Sequence, residues 1–107
     1  PPSEPYRDML LNSGCTVDVH DPHVLEYPGV DISHEISDVV NGADVVAILT
    51  GHSEYFKLKP AFLKNMMNQE HPVIVDGRNV IEADGYINEG FVYKGIGRGD
   101  KNDHQLK

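Results

Sequence analysis

Runs of aliphatic and β-branched residues alternate along this chain with apolar stripes at three- and four-residue spacing, a pattern that predicts strands separated by helices. Tyr6, Met9 and Leu10 follow a proline-rich opening. Pro1 to Ser13 therefore reads as a helix whose prolines occupy the first turn, where no amide hydrogen is missed, with Gly14 as its C-cap. Cys15 to His20 reads as a short strand closed by the turn dipeptide Asp21-Pro22. After an irregular stretch to Ser33, the spacing of Ile32, Ile36, Val39 and Val40 predicts a second helix, stopped by Asn41-Gly42. Ala43 to Thr50 is nearly all apolar, the mark of a parallel strand covered on both faces, and is expected to be the central strand. A polar loop, Gly51 to Glu54, leads to a third helix from about Pro60 to Asn68, with Leu58, Phe62, Leu63, Met66 and Met67 on one stripe. Pro72 to Gly77 and Gly90 to Ile96 read as two further strands. Gly97 to Lys107 holds one aliphatic residue, Leu106, and reads as a loose tail.

The alternation implies an α/β fold, a Rossmann-like open and mostly parallel sheet with flanking helices. Such a sheet normally opens with a strand, whereas this chain opens with a helix, so either the sheet begins elsewhere or it lacks its first strand, and the second is expected. That strand would sit mid-sheet. Its loss would leave unpaired amides beside the second strand and beside Val45 to Leu49, to be met by direct pairing of those strands or by self-association, so a homo-oligomer is expected.

At 107 residues the chain has room for one domain, and its 39% hydrophobic and 24% charged residues fit a folded globular protein. The longest apolar run, Val45 to Leu49, is far short of the roughly 20 residues a bilayer span needs, so no membrane partner is expected. The opening segment lacks the features of a secretion signal, and a single cysteine, Cys15, rules out an internal disulfide, which together suggest the cytoplasm. A net charge of −8 opposes nucleic-acid binding. That charge is uneven. Residues 1 to 56 hold ten acids and one base, giving −9, while residues 57 to 107 hold eight bases and seven acids, giving +1. An anionic ligand should meet the second half, where Arg78, Lys94, Arg98 and Lys101 lie.

Ligands of open α/β sheets collect beyond the carboxyl ends of the strands. Three polar clusters fall there: His20 to His23, Thr50 to Glu54, and Asp76 to Asn79. Arg78, just past a buried strand, offers a planar fork of donors to phosphate or carboxylate; it could equally pair with Asp76 or a helix end. Thr50, Gly51, His52, Glu54, Asp76 and Gly77 are candidates for the pocket rim. His20 and His23, with His52 and Glu54, could be read as metal ligands, but Asp21-Pro22 explains the first pair as a turn, and no metal site is adopted. His52 has no nucleophile spaced to partner it as a base. Cys15 is expected to be a packed, unreactive thiol. Gly95-Ile96-Gly97-Arg98-Gly99 imitates a dinucleotide fingerprint, yet only eight residues follow it, too few for the helix and strand such a unit requires.

Four segments taken together carry a family resemblance. Gly14 to Pro22, Val45 to Leu58, Val73 to Val80, and Gly90 to Gly99 resemble, in order and spacing, the carboxy-terminal domain of the UDP-glucose/GDP-mannose dehydrogenase family. The Thr-Gly-His start of the loop at Thr50 and the Tyr-Lys-Gly-Ile-Gly ending look closer to the UDP-N-acetyl-D-mannosamine branch than to the UDP-glucose branch. The resemblance implies a UDP-binding domain over residues 1–99, truncated at its start, with a flexible tail over 100–107. It further implies an NAD-dependent enzyme that oxidises C6 of a UDP-sugar to a carboxylate. NAD and the catalytic cysteine and lysine would belong to regions not represented here, as would the family's UDP-contacting lysine. Arg78 matches the family arginine beside the UDP pocket. The 107 residues alone are accordingly expected to show no oxidation and no NAD binding, with weak or no affinity for UDP. A freestanding α/β interaction or regulatory module is the alternative.

Overall fold

The protein is described by a computed structural model over residues 4–24 and 28–95. These residues form two compact units, one up to Val39 and one from Val40 onward. Their strands fall into two parallel sheets.

In the first unit, α1 (Glu4–Asn12) ends on Gly14, whose φ of 88° is open to glycine at little cost. The Gly14 amide donates to the Leu11 carbonyl and the Cys15 amide to the Leu10 carbonyl, both at 3.0 Å, a Schellman cap. Cys15 is exposed beyond this cap and outside the strand pairing, so the expected packed thiol is not what the fold provides. Strand β1 (Val19–His20) pairs in parallel with β2 (Ile32–Ser33), Val19 opposite Ile32. The helix expected to start at Ile32 is confined to α2 (Ile36–Val40), because Ile32 and Ser33 are drawn into the ladder with β1. Asp21 Oδ1 accepts the His23 and Val24 amides at 2.8 and 3.1 Å, closing the turn read from Asp21-Pro22.

The second unit contains β3 (Val45–Ile48), α3 (Ser53–Phe56), α4 (Pro60–Met67), β4 (Val73–Asp76), α5 (Ala83–Asn88) and β5 (Val92–Gly95). Its sheet runs β3-β4-β5, all parallel. β4 is therefore central, and β3 is an edge among the described residues rather than the middle strand its apolar run suggests. β3 pairs there with β4, Ile48 opposite Asp76. Register aligns Val45, Val73 and Val92 in one row and Val46, Ile74 and Tyr93 in the next. Alternation then sorts the faces. Ile74, Tyr93, Ile48 and Asp76 are buried on one, while Val45 and Val92 stand partly exposed on the other.

Pro60 opens α4 at its first turn, and Asn68, left-handed with φ 56°, ends it. Leu63 and Met67, one turn apart, are fully buried, whereas Phe62 is mostly outward. Two elements escape the apolar periodicity. α3 is a single turn that begins within the polar loop and ends at Phe56. α5 carries Gly85 in its interior and is capped by Glu82, whose carboxylate accepts the Asp84 and Gly85 amides at 3.0 and 2.7 Å. From α5, Tyr86 meets Phe91 edge to face at 5.1 Å. No helix among the described residues is long and apolar enough to cross a membrane. The tail read from Gly97 onward, and most of the Gly95 to Gly99 segment, lie outside the described residues.

Candidate functional site

Asp76 ends β4 and shares the parity of Ile74, so its side chain enters the covered face and is fully buried. Its Oδ1 accepts the amides of Arg78 and Val80 at 3.1 and 3.0 Å, and its Oδ2 accepts the amide of Ile81 at 3.0 Å. A buried carboxylate must be compensated in this way, and three main-chain donors do so without a side-chain cation. The turn after β4 is thus wound around Asp76. Asn79 adopts a left-handed φ of 56°, and the Gly77 amide donates to the Ile48 carbonyl at 2.8 Å, which ties this turn to the end of β3.

Wound in this way, the turn presents Arg78 at the surface. Its Nη2 lies 3.9 Å from where a Cβ on Gly51 would stand, so the turns after β3 and β4 meet at these two residues. Among the described residues the guanidinium forms no ion pair; Asp76 binds the Arg78 amide instead, which removes the pairing considered from the sequence. Gly77 and Thr50 are half-buried beside this edge and Gly51 is exposed. His52 is half-buried with its ring edge to face against Tyr55 at 5.6 Å, and Glu54 is half-buried in α3. Asp76, expected at the rim, is instead beneath it. Parity with Ile74 was the available signal.

The site is an open edge. A shallow depression of about 420 Å³ lies elsewhere, lined by Ala61, Lys64 and Asn65 of α4 and by Asn68 to Glu70. The turn after β4 does not itself offer a dinucleotide cradle, because its Arg78, Val80 and Ile81 amides are already committed to Asp76. His20 Nε2 donates to the His34 carbonyl at 3.1 Å, and no group of three potential ligands gathers for a metal among the described residues.

Beneath the site, burial, and secondarily the Asp76 carboxylate, push the Tyr86 hydroxyl from its usual 10 up to about 12. Tyr86 donates to the Leu58 carbonyl at 3.2 Å. Because folding favours the neutral phenol, this contribution is complete below about pH 10 and is lost as pH rises from about 10 to 12. Tyr86→Phe should be less stable than the parent at neutral pH, with the gap narrowing above about pH 10. Urea unfolding on both sides of that pH checks this, and a constant gap would contradict it.

Comparison with known proteins adds the family. The model of the UDP-glucose/GDP-mannose dehydrogenase family, UDP binding domain, matches residues 2–83, a span that includes Gly51, Asp76 and Arg78. A UDP-N-acetyl-D-mannosamine dehydrogenase of Pyrococcus horikoshii is 33% identical over 92% of this chain and 21% of its own length. A UDP-glucose 6-dehydrogenase of Pseudomonas aeruginosa is 30% identical over 91% of this chain and 23% of its own. The crystal structure of an NDP-N-acetyl-D-galactosaminuronic acid dehydrogenase from Methanosarcina mazei Go1 superposes with a TM-score of 0.91 and 53% identity, over 96% of this chain and 22% of that one. The chain thus spans about a fifth of the length of these relatives. Two parallel sheets with flanking helices, matched by that structure, make the fold Rossmann-like α/β. With the family model covering most of its residues, the chain belongs to the UDP-glucose/GDP-mannose dehydrogenase family, matching its UDP binding domain.

Proposed function

We propose that this chain serves as the UDP-holding part of an NAD-dependent UDP-sugar 6-dehydrogenase, with Arg78 as a contact to the diphosphate. The observation carrying this is the meeting of Arg78 with Gly51 at the carboxyl ends of β3 and β4. There a guanidinium fork is exposed beside a residue with no side chain, which leaves room for phosphate oxygens to approach. The residues around it, Thr50, Gly51, Gly77 and, further along, His52 and Glu54, form the rim in this reading. NAD, the catalytic cysteine and lysine, and the choice of sugar belong to other parts of such an enzyme. UDP-N-acetyl-D-mannosamine and UDP-glucose are the substrates toward which these likenesses point.

The Methanosarcina mazei dehydrogenase offers the test, since its matching segment is 53% identical and can be exchanged for this chain. The chimera should oxidise its nucleotide sugar with NAD, while the 107 residues alone should yield no NADH from NAD and a UDP-sugar. Turnover by the chain alone, or a folded chimera that no longer binds the nucleotide sugar, would contradict the proposal.

A further inference from the structure

We infer that Asp76 is a positioning residue for UDP recognition, acting through the main chain to aim Arg78 rather than by touching the ligand. This rests on the reading of Arg78 as the phosphate contact. The sequence suggests a rim carboxylate, which would repel a diphosphate. The structure places that charge under the turn, fully buried, with both oxygens engaged by the amides of Arg78, Val80 and Ile81.

The arrangement separates two jobs. Asp76 holds the backbone of residue 78 at a fixed point beyond β4, and the Gly77 bond to the Ile48 carbonyl holds the same turn against the end of β3. The side chain of Arg78 leaves this anchored backbone toward Gly51. A guanidinium recognises phosphate through a planar fork, so its strength depends on the direction from which it approaches. A lysine, being a flexible point charge, depends far less on that direction. If Asp76 works by aiming Arg78, its effect on UDP must therefore shrink once residue 78 is lysine.

A double-mutant cycle on the 107-residue chain tests this, using Asp76→Asn, Arg78→Lys and the pair, with UDP titrated into ¹⁵N-labelled protein. Asp76→Asn keeps one oxygen for the turn and loses the other, loosening the anchor with the least change of shape. It should weaken UDP about tenfold in the parent, and by less than about twofold when residue 78 is lysine. Its effect on the melting temperature should be the same in both backgrounds, and the Arg78, Val80 and Ile81 amides should exchange faster in each. Equal weakening of UDP in both backgrounds, or none in either, overturns the inference. Where the chain alone is silent the same cycle is run in the Methanosarcina chimera, and no response of the parent chimera to UDP overturns the binding reading itself, and the inference with it. Where Asp76→Asn unfolds the chain, Asp76→Glu carries the cycle, since it keeps the charge while moving both oxygens by one methylene.

Discussion

Replacing Asp76 by alanine should destabilise the β3-β4-β5 unit by about 3 kcal/mol, the largest effect expected of any single substitution outside its apolar core. The carboxylate is the acceptor for three main-chain amides, and Val80 and Ile81, which supply two of them, are themselves buried. An unpaired buried donor costs on the order of 1 to 3 kcal/mol, and water reaching the exposed Arg78 end of the turn recovers part of the total. Asp76→Asn should cost less, because one oxygen remains. Urea unfolding followed through amide signals of β4 and β5 measures both, and a cost below about 1 kcal/mol for alanine would show that the turn holds without its central acceptor.

Arg78→Ala should weaken UDP binding by roughly 10- to 100-fold, as expected for a charge-assisted contact of about 1.5 to 3 kcal/mol, while leaving stability within about 0.5 kcal/mol. The asymmetry follows from exposure. The guanidinium lies at the surface and makes no ion pair among the described residues, so its removal unpairs nothing internal. Arg78→Lys should fall between, retaining charge and losing the fork. In the Methanosarcina chimera the same substitution should raise KM for the nucleotide sugar. A folded alanine variant with unchanged affinity would remove Arg78 from the ligand.

How much of this could be read from residues alone depended on whether local pattern and tertiary pairing agreed. Val45 to Ile48, Val73 to Asp76 and Val92 to Gly95 are strands because their apolar runs, bounded by turns, match a parallel ladder. Pro60 and Asn68 mark the ends of α4 through fixed φ and a left-handed cap. Ile32 misled because its spacing to Ile36 and Val39 is helical, while its partner Val19 lies 13 positions earlier and exerts its pull only in the folded chain. α5 was hidden because Gly85 weakens its helix propensity and its cap is a glutamate, outside the usual capping set. Position after a buried strand predicts an outward Arg78, and the structure shows it exposed beside Gly51. The inward turn of Asp76 followed from two-residue alternation, but a carboxylate beside Gly-Arg invites the assumption that it faces solvent.

Whether Arg78, set where the turns after β3 and β4 meet, takes the diphosphate of UDP is decided by a UDP titration of the ¹⁵N-labelled chain and its Arg78→Ala variant, following the amides of Thr50, Gly51, Gly77 and Arg78. Saturable shifts clustered at those positions in the parent, at millimolar UDP or below, and largely lost in the variant are the predicted result. Shifts centred elsewhere, or undiminished by alanine, would contradict the account.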